Sequence, residues 1–457
     1  MPAAKSLDPN RLSPEAYAPM ATNRLTRWIL IALVAGLITG YAINRLAATP
    51  DQAKEAAYYL GIVTNVFLRL IKMIIAPLVL STLVVGIAHM GSGGAVGRTF
   101  IRTIAWFIAA SVVSLSLGIF MVNLLEPGVG VGLALPAADA ASGIAKTNFD
   151  LAKFIEHIVP SSIIDAMATN EILQIVVFSL FAGTALIAIG DAGKPIVAGL
   201  DAVMHMMLKI TGYVMNVAPA AVFAAIASAI AVEGLGILLV FGKFIGGFYL
   251  ALAVLWVVLL GAGSAVIGFP AIRRLIPAIR EPFLITFATA SSEAAYPKLL
   301  QSLERFGVPN RIASFVLPLG YSFNLDGSMM YCAFASIFIA QAYGIELSLA
   351  QQVFMLGMLM ITSKGIAGVP RASLVVIAAT LPFFGIPEGG LVLILAVDHF
   401  LDMGRSATNV IGNAVATAVI AKWDTGVVPV ATIEAVAGRN EKGRHRSAAP
   451  RRTSVNP

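Results

Sequence analysis

The chain has 457 residues, 58% of them hydrophobic and only 12% charged, with a formal net charge of +7. A soluble domain carries about twice that charge, so the composition excludes an ordinary soluble enzyme and points to a lipid bilayer. The one cysteine, Cys332, excludes an intramolecular disulfide framework.

In chain order, residues 1–25 read as a polar cytoplasmic arm containing Lys5, Arg11 and Arg24, with no cleavable signal evident. The 20-residue criterion predicts full spans at 26–47, 59–88, 99–125, 171–192, 197–232 and 235–269. Arg69 and Lys72 interrupt the second, which is expected to tilt or to snorkel its basic groups. Residues 126–170 hold "EPGVGVGLALPAADAASG", a Gly/Pro-rich extracytoplasmic loop poorer in Lys and Arg than the N-terminal arm, the Arg98–Arg102 region and the tail. Both termini are therefore expected on the cytoplasmic side of a cytoplasmic membrane. Residues 425–457 end in "GRNEKGRHRSAAPRRTSVNP", read as a basic, disordered cytoplasmic tail; nucleic-acid binding is not expected, since no fold or aromatic platform accompanies it.

After residue 270 the pattern changes. "EPFLITFATASSEAAYPKLLQSLERFG" has apolar arms around a small polar knot, each arm too short to cross. "VFMLGMLMITSKGIAGVPRASLVVIAATLPFFG" repeats the design with Gly365, Gly368 and Pro370 in the knot. Such segments read as re-entrant hairpins, tolerated at membrane depth only where protein buries them or they line a cavity. Each precedes a full span with a polar centre, so the region 235–424 reads as span, hairpin, span, hairpin, span. That order indicates an internal repeat, and paired Gly/Pro-interrupted short segments point to the central site of a transporter.

The last span carries Asp398, Asp402, Arg405, Asn409 and Asn413. At 100° per residue they fall within an arc of about 80°. Ionisable groups inside a span cost about 2.5–3.5 kcal/mol each on insertion scales and persist where they line a polar cavity or hold a charged ligand. A stripe with carboxylates and a guanidinium can grip a molecule that carries both signs of charge, as an amino acid does. The knot "FNLDGS" in the preceding span groups the weak helix formers Asn324, Asp326, Gly327 and Ser328. Freed carbonyls beside Asp326 suit a hard monovalent cation; the plainer alternative is a kink in which Asp326 bonds to a neighbouring helix. Ser291 and Ser292 either cap a half-helix or, at a hairpin tip beside exposed N–H groups, attract a carboxylate; the ligand reading is preferred. Lys364 is read as snorkelling to an aqueous vestibule. No G-x-S-x-G, Walker or H-E-x-x-H motif occurs and the five histidines are scattered, so neither an enzyme nor a metal centre is expected.

"TASSEAAYPKLL", "GYSFNLDGSMMY", "SKGIAGVPRASLVV" and "DHFLDMGRSATNVIGNAVATAVIAKW" resemble, in order, the four signature segments of the dicarboxylate/amino acid:cation symporter family, over residues 26 to 424. The resemblance implies an all-α polytopic membrane protein with eight transmembrane helices, two re-entrant helical hairpins and inverted repeats. It further implies a homotrimer and elevator-type transport. The scaffold would comprise 26–98 (spans 1 and 2) and 126–234 (loop, spans 4 and 5), and the transport domain 99–125 (span 3) and 235–424. Residue by residue, it places Asp402 at the substrate ammonium, Arg405 at the distal carboxylate and Asn409 at the α-carboxylate. Ser292, Ser328 and Ser406 fall at neighbouring substrate contacts, and Ala367, Gly368 and Val369 at the gate tip. Gly320, Asn324, Asp326 and Asp398 fall at or beside sodium-site positions, Ser322, Ser363 and Gly365 at a backbone-built site, and Asn409, Asn413 and Ser111 complete the cation set.

Three departures bear on coupling. Asn413 stands where sodium-coupled members often place an aspartate. Phe107 and Ala110 replace a Tyr and a Thr of a further cation site, leaving Ser111. Cys332 replaces the glutamate of proton-cotransporting animal members. The resemblance thus implies no tightly bound cofactor, sodium as the leading cotransported ion and protons as the alternative. The expected function is uptake of acidic amino acids; the alternative is uptake of C4-dicarboxylates, and a channel or receptor without coupling ranks below both. Asp402 favours the amino acid, because a dicarboxylate has no ammonium to pair with a desolvated carboxylate. Membrane lipid and a small anionic substrate are the expected partners.

Overall fold

The computed structural model describes residues 20–88, 93–130, 156, 158–234, 241–362, 372–395 and 397–427. Among these residues the chain is helical, with no strand. The first helices are α1 (Met20–Leu46), α2 (Pro50–Ala88) and α3 (Gly93–Leu125). There follow α4 (Ile163–Thr169), α5 (Ile172–Ala188), α6 (Lys194–Met215), α7 (Ala218–Glu233) and α8 (Gly242–Ile267). Next come α9 (Phe269–Thr289), α10 (Tyr296–Phe306), α11 (Asn310–Phe323) and α12 (Asp326–Ala342). The last are α13 (Leu349–Thr362), α14 (Ala372–Thr380), α15 (Leu391–Leu395) and α16 (Asp398–Thr425).

Several boundaries differ from the sequence expectation, each for a local reason. The stretch 197–232, expected as one span, is the pair α6–α7, bent by 53°. Pro219 in the first turn of α7 cannot continue the α6 ladder, so a new helix starts there. The region expected as span 171–192 is the 17-residue α5 followed by a 3₁₀ turn, shorter than the 20-residue criterion. The first arm of the first hairpin is also not short. It is the 21-residue α9, which begins at Phe269 and carries Pro277 and Pro282 inside. Its first half, "FPAIRRLIPAIR", is amphipathic rather than apolar, and an apolar count therefore missed it. By length and hydropathy, five stretches of the described residues qualify as spans, α11 and α12 counting together, and six with the bent pair.

Two groups of helices emerge from the packing. Helices α5, α6 and α7 gather around α2, with α1 laid along α7, while α3, α8, α9, α11 and α12 gather around α16. The groups meet where α11 lies on α2 and α5, and where α9 lies on α1 and α7. Hairpin arms α13 and α14 pack chiefly on α3 and α12. One long apolar core runs through α2, α9, α11 and α16, and a second fills the space among α3, α8, α12 and α14.

Close approach of backbones holds the first group. Gly36 and Gly40, one turn apart on α1, face α7 so tightly that a β-carbon would lie 2.7 Å from the Phe223 carbonyl and 2.6 Å from the Ala227 carbonyl. Without a hydrophobic drive between helices in lipid, such small-residue contacts supply the association energy. Gly40→Leu is expected to push α1 off α7 at a cost of about 1–3 kcal/mol or more. The check is the thermal midpoint of the purified protein, which should fall; an unchanged midpoint would show that this contact does not hold α1.

Candidate functional site

The site begins where two helices start inside the packed interior. The stretch α11–α12 is broken at Asn324 and Leu325, and α12 starts at Asp326; further on, α15 ends at Leu395 and α16 starts at Asp398. The aspartates expected in the span centres are thus first-turn residues, where exposed N–H groups and the helix dipole favour a carboxylate. Both are buried, at 0% and 1% relative exposure.

Asn409 closes the start of α12. Its Oδ1 accepts the backbone N–H of Gly327 at 2.9 Å and of Ser328 at 3.3 Å, while its Nδ2 donates to Ser328 Oγ at 3.1 Å. Two N–H groups that the helix cannot satisfy are therefore capped from another helix. The approach is tight: a β-carbon on Gly327 would run into the carbonyl of Arg405.

Asp326 lies against α16 at Gly412, where a β-carbon would collide with its Oδ2. Asn324 donates Nδ2 to Asp326 Oδ2 at 3.0 Å and to Asn413 Oδ1 at 3.2 Å. From α3, Ser114 Oγ stands 3.1 Å from Asp326 Oδ1 and 2.8 Å from the carbonyl of Ala110. The hydroxyl expected here, Ser111, donates to the carbonyl of Phe107 at 2.6 Å. Gly320 packs on the Asn413 amide, and Ser322 reaches back to Pro318 at 3.5 Å. Asn324 Oδ1 and Asn413 Nδ2 are buried without a hydrogen-bond partner among the described residues.

The charged stripe lies one to two turns along α16. Arg405 Nη2 pairs with Asp402 Oδ2 at 2.9 Å, and Nη1 donates to Ser373 Oγ of α14. Its guanidinium carbon stands 5.2 Å from the centre of the Tyr331 ring, a cation–π geometry. Tyr331 in turn donates to Asp398 Oδ1 at 2.9 Å. Ser406 donates to Asp402 Oδ1 at 2.8 Å and lies 3.4 Å from the carbonyl of Ala290 in the first hairpin tip. Ala290 has φ 51°, the left-handed turn that sends the chain through Ser291 and Ser292 before α10; Ser291 Oγ accepts the N–H of Ala294 at 3.4 Å. Asp402, Arg405 and Ser406 are each at most 6% exposed. Arg405 Nε has no partner among the described residues.

The fold thus brings Ser328, Asp398, Asp402, Arg405, Ser406 and Asn409 to one side from α12 and α16, with Asn324 and Asp326 against Gly412 and Asn413, about two turns beyond Arg405 on α16. Ser363, Gly365, Ala367, Gly368 and Val369, and with them Lys364, lie outside the described residues. Sequence reasoning missed Tyr331, Ser373 and Ser114. The first two sit inside the quoted segments, and Ser114 is one turn beyond Ser111, but no spacing rule pairs residues on separate helices. No group of three or more His, Cys, Asp or Glu side chains forms a metal cluster among the described residues.

The sequence matches the model of the Sodium:dicarboxylate symporter family over residues 25–423. The chain belongs to this family. It is 37% identical over 405 residues to the proton/sodium-glutamate symport protein of Bacillus subtilis, covering 88% of this chain and 92% of that one. It is 38% identical to the C4-dicarboxylate transport protein of Acinetobacter baylyi, covering 86% and 90%. It is also 38% identical to the proton/glutamate-aspartate symporter of Escherichia coli, covering 87% and 92%. The chain is therefore a polytopic membrane protein of a transporter family, not an enzyme family; the family name carries sodium, and the Bacillus subtilis and Escherichia coli relatives carry protons in theirs.

Asn409→Leu keeps the shape of the side chain and removes both of its roles. The N–H groups of Gly327 and Ser328 would then be buried unpaired, each at about 1–3 kcal/mol. The thermal midpoint is expected to fall sharply and transport to be lost, whereas Asn409→Asp, which keeps the acceptor, should retain more of the stability. Equal melting of the Asn409→Leu variant and the wild-type protein would refute the capping role.

Proposed function

We propose that this protein is a secondary active symporter that imports acidic amino acids, glutamate or aspartate, across the cytoplasmic membrane together with sodium or protons. The observation that carries this reading is the buried Asp402–Arg405 pair at 2.9 Å. An acidic amino acid can replace each partner with its own opposite charge: its ammonium takes Asp402 and its distal carboxylate takes Arg405. A planar guanidinium already oriented by Ser373 and Tyr331 loses little freedom when it takes a carboxylate fork. Ser292, Ser328, Ser406 and Asn409 supply neighbouring polar contacts, and the family resemblance assigns Ala367, Gly368 and Val369 to the gate over the ligand.

Coupling follows from charge. Three carboxylates, those of Asp326, Asp398 and Asp402, are buried in this region with one guanidinium, that of Arg405, and an anionic substrate adds negative charge. Bringing a further charge into a buried site costs several kcal/mol or more unless an opposite charge comes with it, so cations are expected to enter with the anionic substrate. Asn324, Asp326 and Ser114 gather oxygens for one cation. Asn413 in place of a carboxylate, with Phe107 and Ala110 in place of a Tyr and a Thr, points to fewer sodium ions than the fullest family sites hold, or to partial replacement of sodium by protons. The packing supports a scaffold of α1, α2 and α4–α7 along which a transport unit of α3 and α8–α16 moves as an elevator. That unit carries both hairpins, with eight spans in all, in a homotrimer with cytoplasmic termini.

Uptake of C4-dicarboxylates is the second reading, favoured by the relative from Acinetobacter baylyi that bears that name. Competition for radiolabelled aspartate uptake in proteoliposomes separates the two. In wild-type protein, glutamate should compete strongly and succinate weakly. Asp402→Asn should weaken aspartate binding by at least the ~1.5–3 kcal/mol of a charge-assisted hydrogen bond, with succinate hurt less or improved. Equal losses for both ligands would assign Asp402 to folding or to a cation instead.

Substrate and cation are also expected to bind cooperatively, each raising the other's affinity by the same factor. The measurement is aspartate affinity titrated with sodium at fixed pH, then with pH in the absence of sodium. A response to neither cation would sink the symport mechanism. A response to protons alone would remove the oxygen-cage role of Asp326 and leave the substrate site standing.

A further inference from the structure

We propose that Tyr249 and Trp256 of α8 are positioning residues that set the rotation of α16, and with it the aim of Asp402 and Arg405. The proposal rests on the reading that those two side chains hold the substrate. Tyr249 donates its hydroxyl to the carbonyl of Phe400 at 2.7 Å. Trp256 donates its indole N–H to Thr408 Oγ1 at 2.8 Å, and Thr408 passes its own hydrogen to the carbonyl of Gly404 at 2.9 Å. Both α8 side chains thus grip α16 at points about two turns, or roughly 12 Å, apart. Asp402 and Arg405 lie between those points.

The grip is on the far side of the helix from the ligand stripe. At 100° per residue Phe400, Gly404 and Thr408 lie within about 80° of one another, and the Asp402–Arg405 face is centred roughly 130° away. Two attachments on one face resist rotation about the helix axis in a way that one cannot. A side-chain tip stands roughly 6 Å from that axis, so a 15° turn would carry it about 1.5 Å. That exceeds the ~0.5 Å tolerance of a preorganised site.

Gly404 makes the close fit possible. A β-carbon there would lie 2.9 Å from Tyr249 Cε1 and 2.9 Å from Leu252 Cδ1, so the tyrosine ring lies directly on the α16 backbone beside Asp402. Trp256 has a second anchor, its ring meeting Phe283 of α9 edge-on at 5.7 Å. The same indole therefore ties α8, the first hairpin and α16 together. A polar hydrogen that leaves an apolar helix and ends on a threonine hydroxyl fixes an angle as well as a distance.

The test uses purified full-length protein in lipid nanodiscs. Aspartate affinity is measured at saturating sodium, and the thermal midpoint is measured without substrate. Tyr249→Phe and Trp256→Phe remove the donors while keeping an aromatic ring. Each should raise the aspartate Kd by about three- to tenfold, the range set by interhelical hydrogen bonds in membranes. Thr408→Val should reproduce the Trp256→Phe increase, and the double variant should add nothing further, because one bond joins the two. Val257→Ala, on an exposed part of α8, serves as the control with unchanged affinity. A lower thermal midpoint with wild-type affinity in all three variants would reduce the contacts to packing and overturn the proposal. If a phenylalanine variant does not fold, Thr408→Val alone decides by the same criterion. Arg405→Cys is measured in parallel. Unchanged aspartate affinity there would overturn the substrate-site reading itself, whereas lost affinity there with wild-type affinity in the α8 variants would overturn only the clamp.

Discussion

The side-chain amide of Asn409 joins two helices that both begin inside an apolar interior, and the arrangement of the site depends on it. A helix start leaves N–H groups with no partner in its own ladder, and lipid or a dry core offers no water to take them. At α12 the Asn409 carbonyl takes two of these groups, and its amide hydrogen goes to Ser328. The break between α11 and α12 is therefore satisfied only when α12 and α16 stand in one register. In that register Asn324 bridges Asp326 to Asn413, and Tyr331 reaches Asp398. One capping interaction thus aligns the Asn324–Asp326–Asn413 cluster with the charged stripe of α16.

Charge in this interior is held by pairing between side chains. Arg405 is shared among Asp402, Ser373 and the face of Tyr331, and Asp398 sits at a helix start and takes the Tyr331 hydroxyl. A pair of opposite charges separated by a hydrogen-bond distance is a stable resting arrangement. It is also one that a doubly charged ligand can replace partner for partner. The same logic applies away from the site: Glu281 of α9, fully buried, is matched by Lys298 of α10 at 2.8 Å, so the two arms of the first hairpin are held by an internal ion pair. Removing one partner of such a pair leaves the other unpaired, at about 3–5 kcal/mol.

Close backbone approach is the second recurring device. Glycines on α1 admit α7, and Gly412 and Gly404 on α16 admit the Asp326 carboxylate and the Tyr249 ring. In a membrane, where packing replaces the hydrophobic drive between helices, these contacts decide which faces meet. They also explain why α16 can carry a polar stripe along its length and still be buried. Its apolar residues face the two cores, Gly404 and Gly412 make room for side chains of neighbouring helices, and its polar stripe faces the broken span.

Much of this was legible in the sequence, because it follows from periodicity and cost. The apolar runs, the polar knots and the stripe Asp398–Asp402–Arg405–Asn409–Asn413 on one side of a helix are properties of single segments, and the expense of charge in lipid marks them as functional. Local chemistry was less legible where it opposed the average: Pro219 split an expected span, and the amphipathic start of α9 concealed a 21-residue arm. What only tertiary structure decided is which polar groups are partners. The sequence places Ser111 and Ser114 one turn apart with equal chemistry, and only the crossing of α3 and α12 sends Ser114 to Asp326. It likewise contains Tyr331, Ser373, Tyr249 and Trp256 without showing that three helices converge on α16. Periodicity determines the face on which a side chain lies, but a hydrogen bond between helices depends on their crossing and register, and the sequence of either helix alone contains neither.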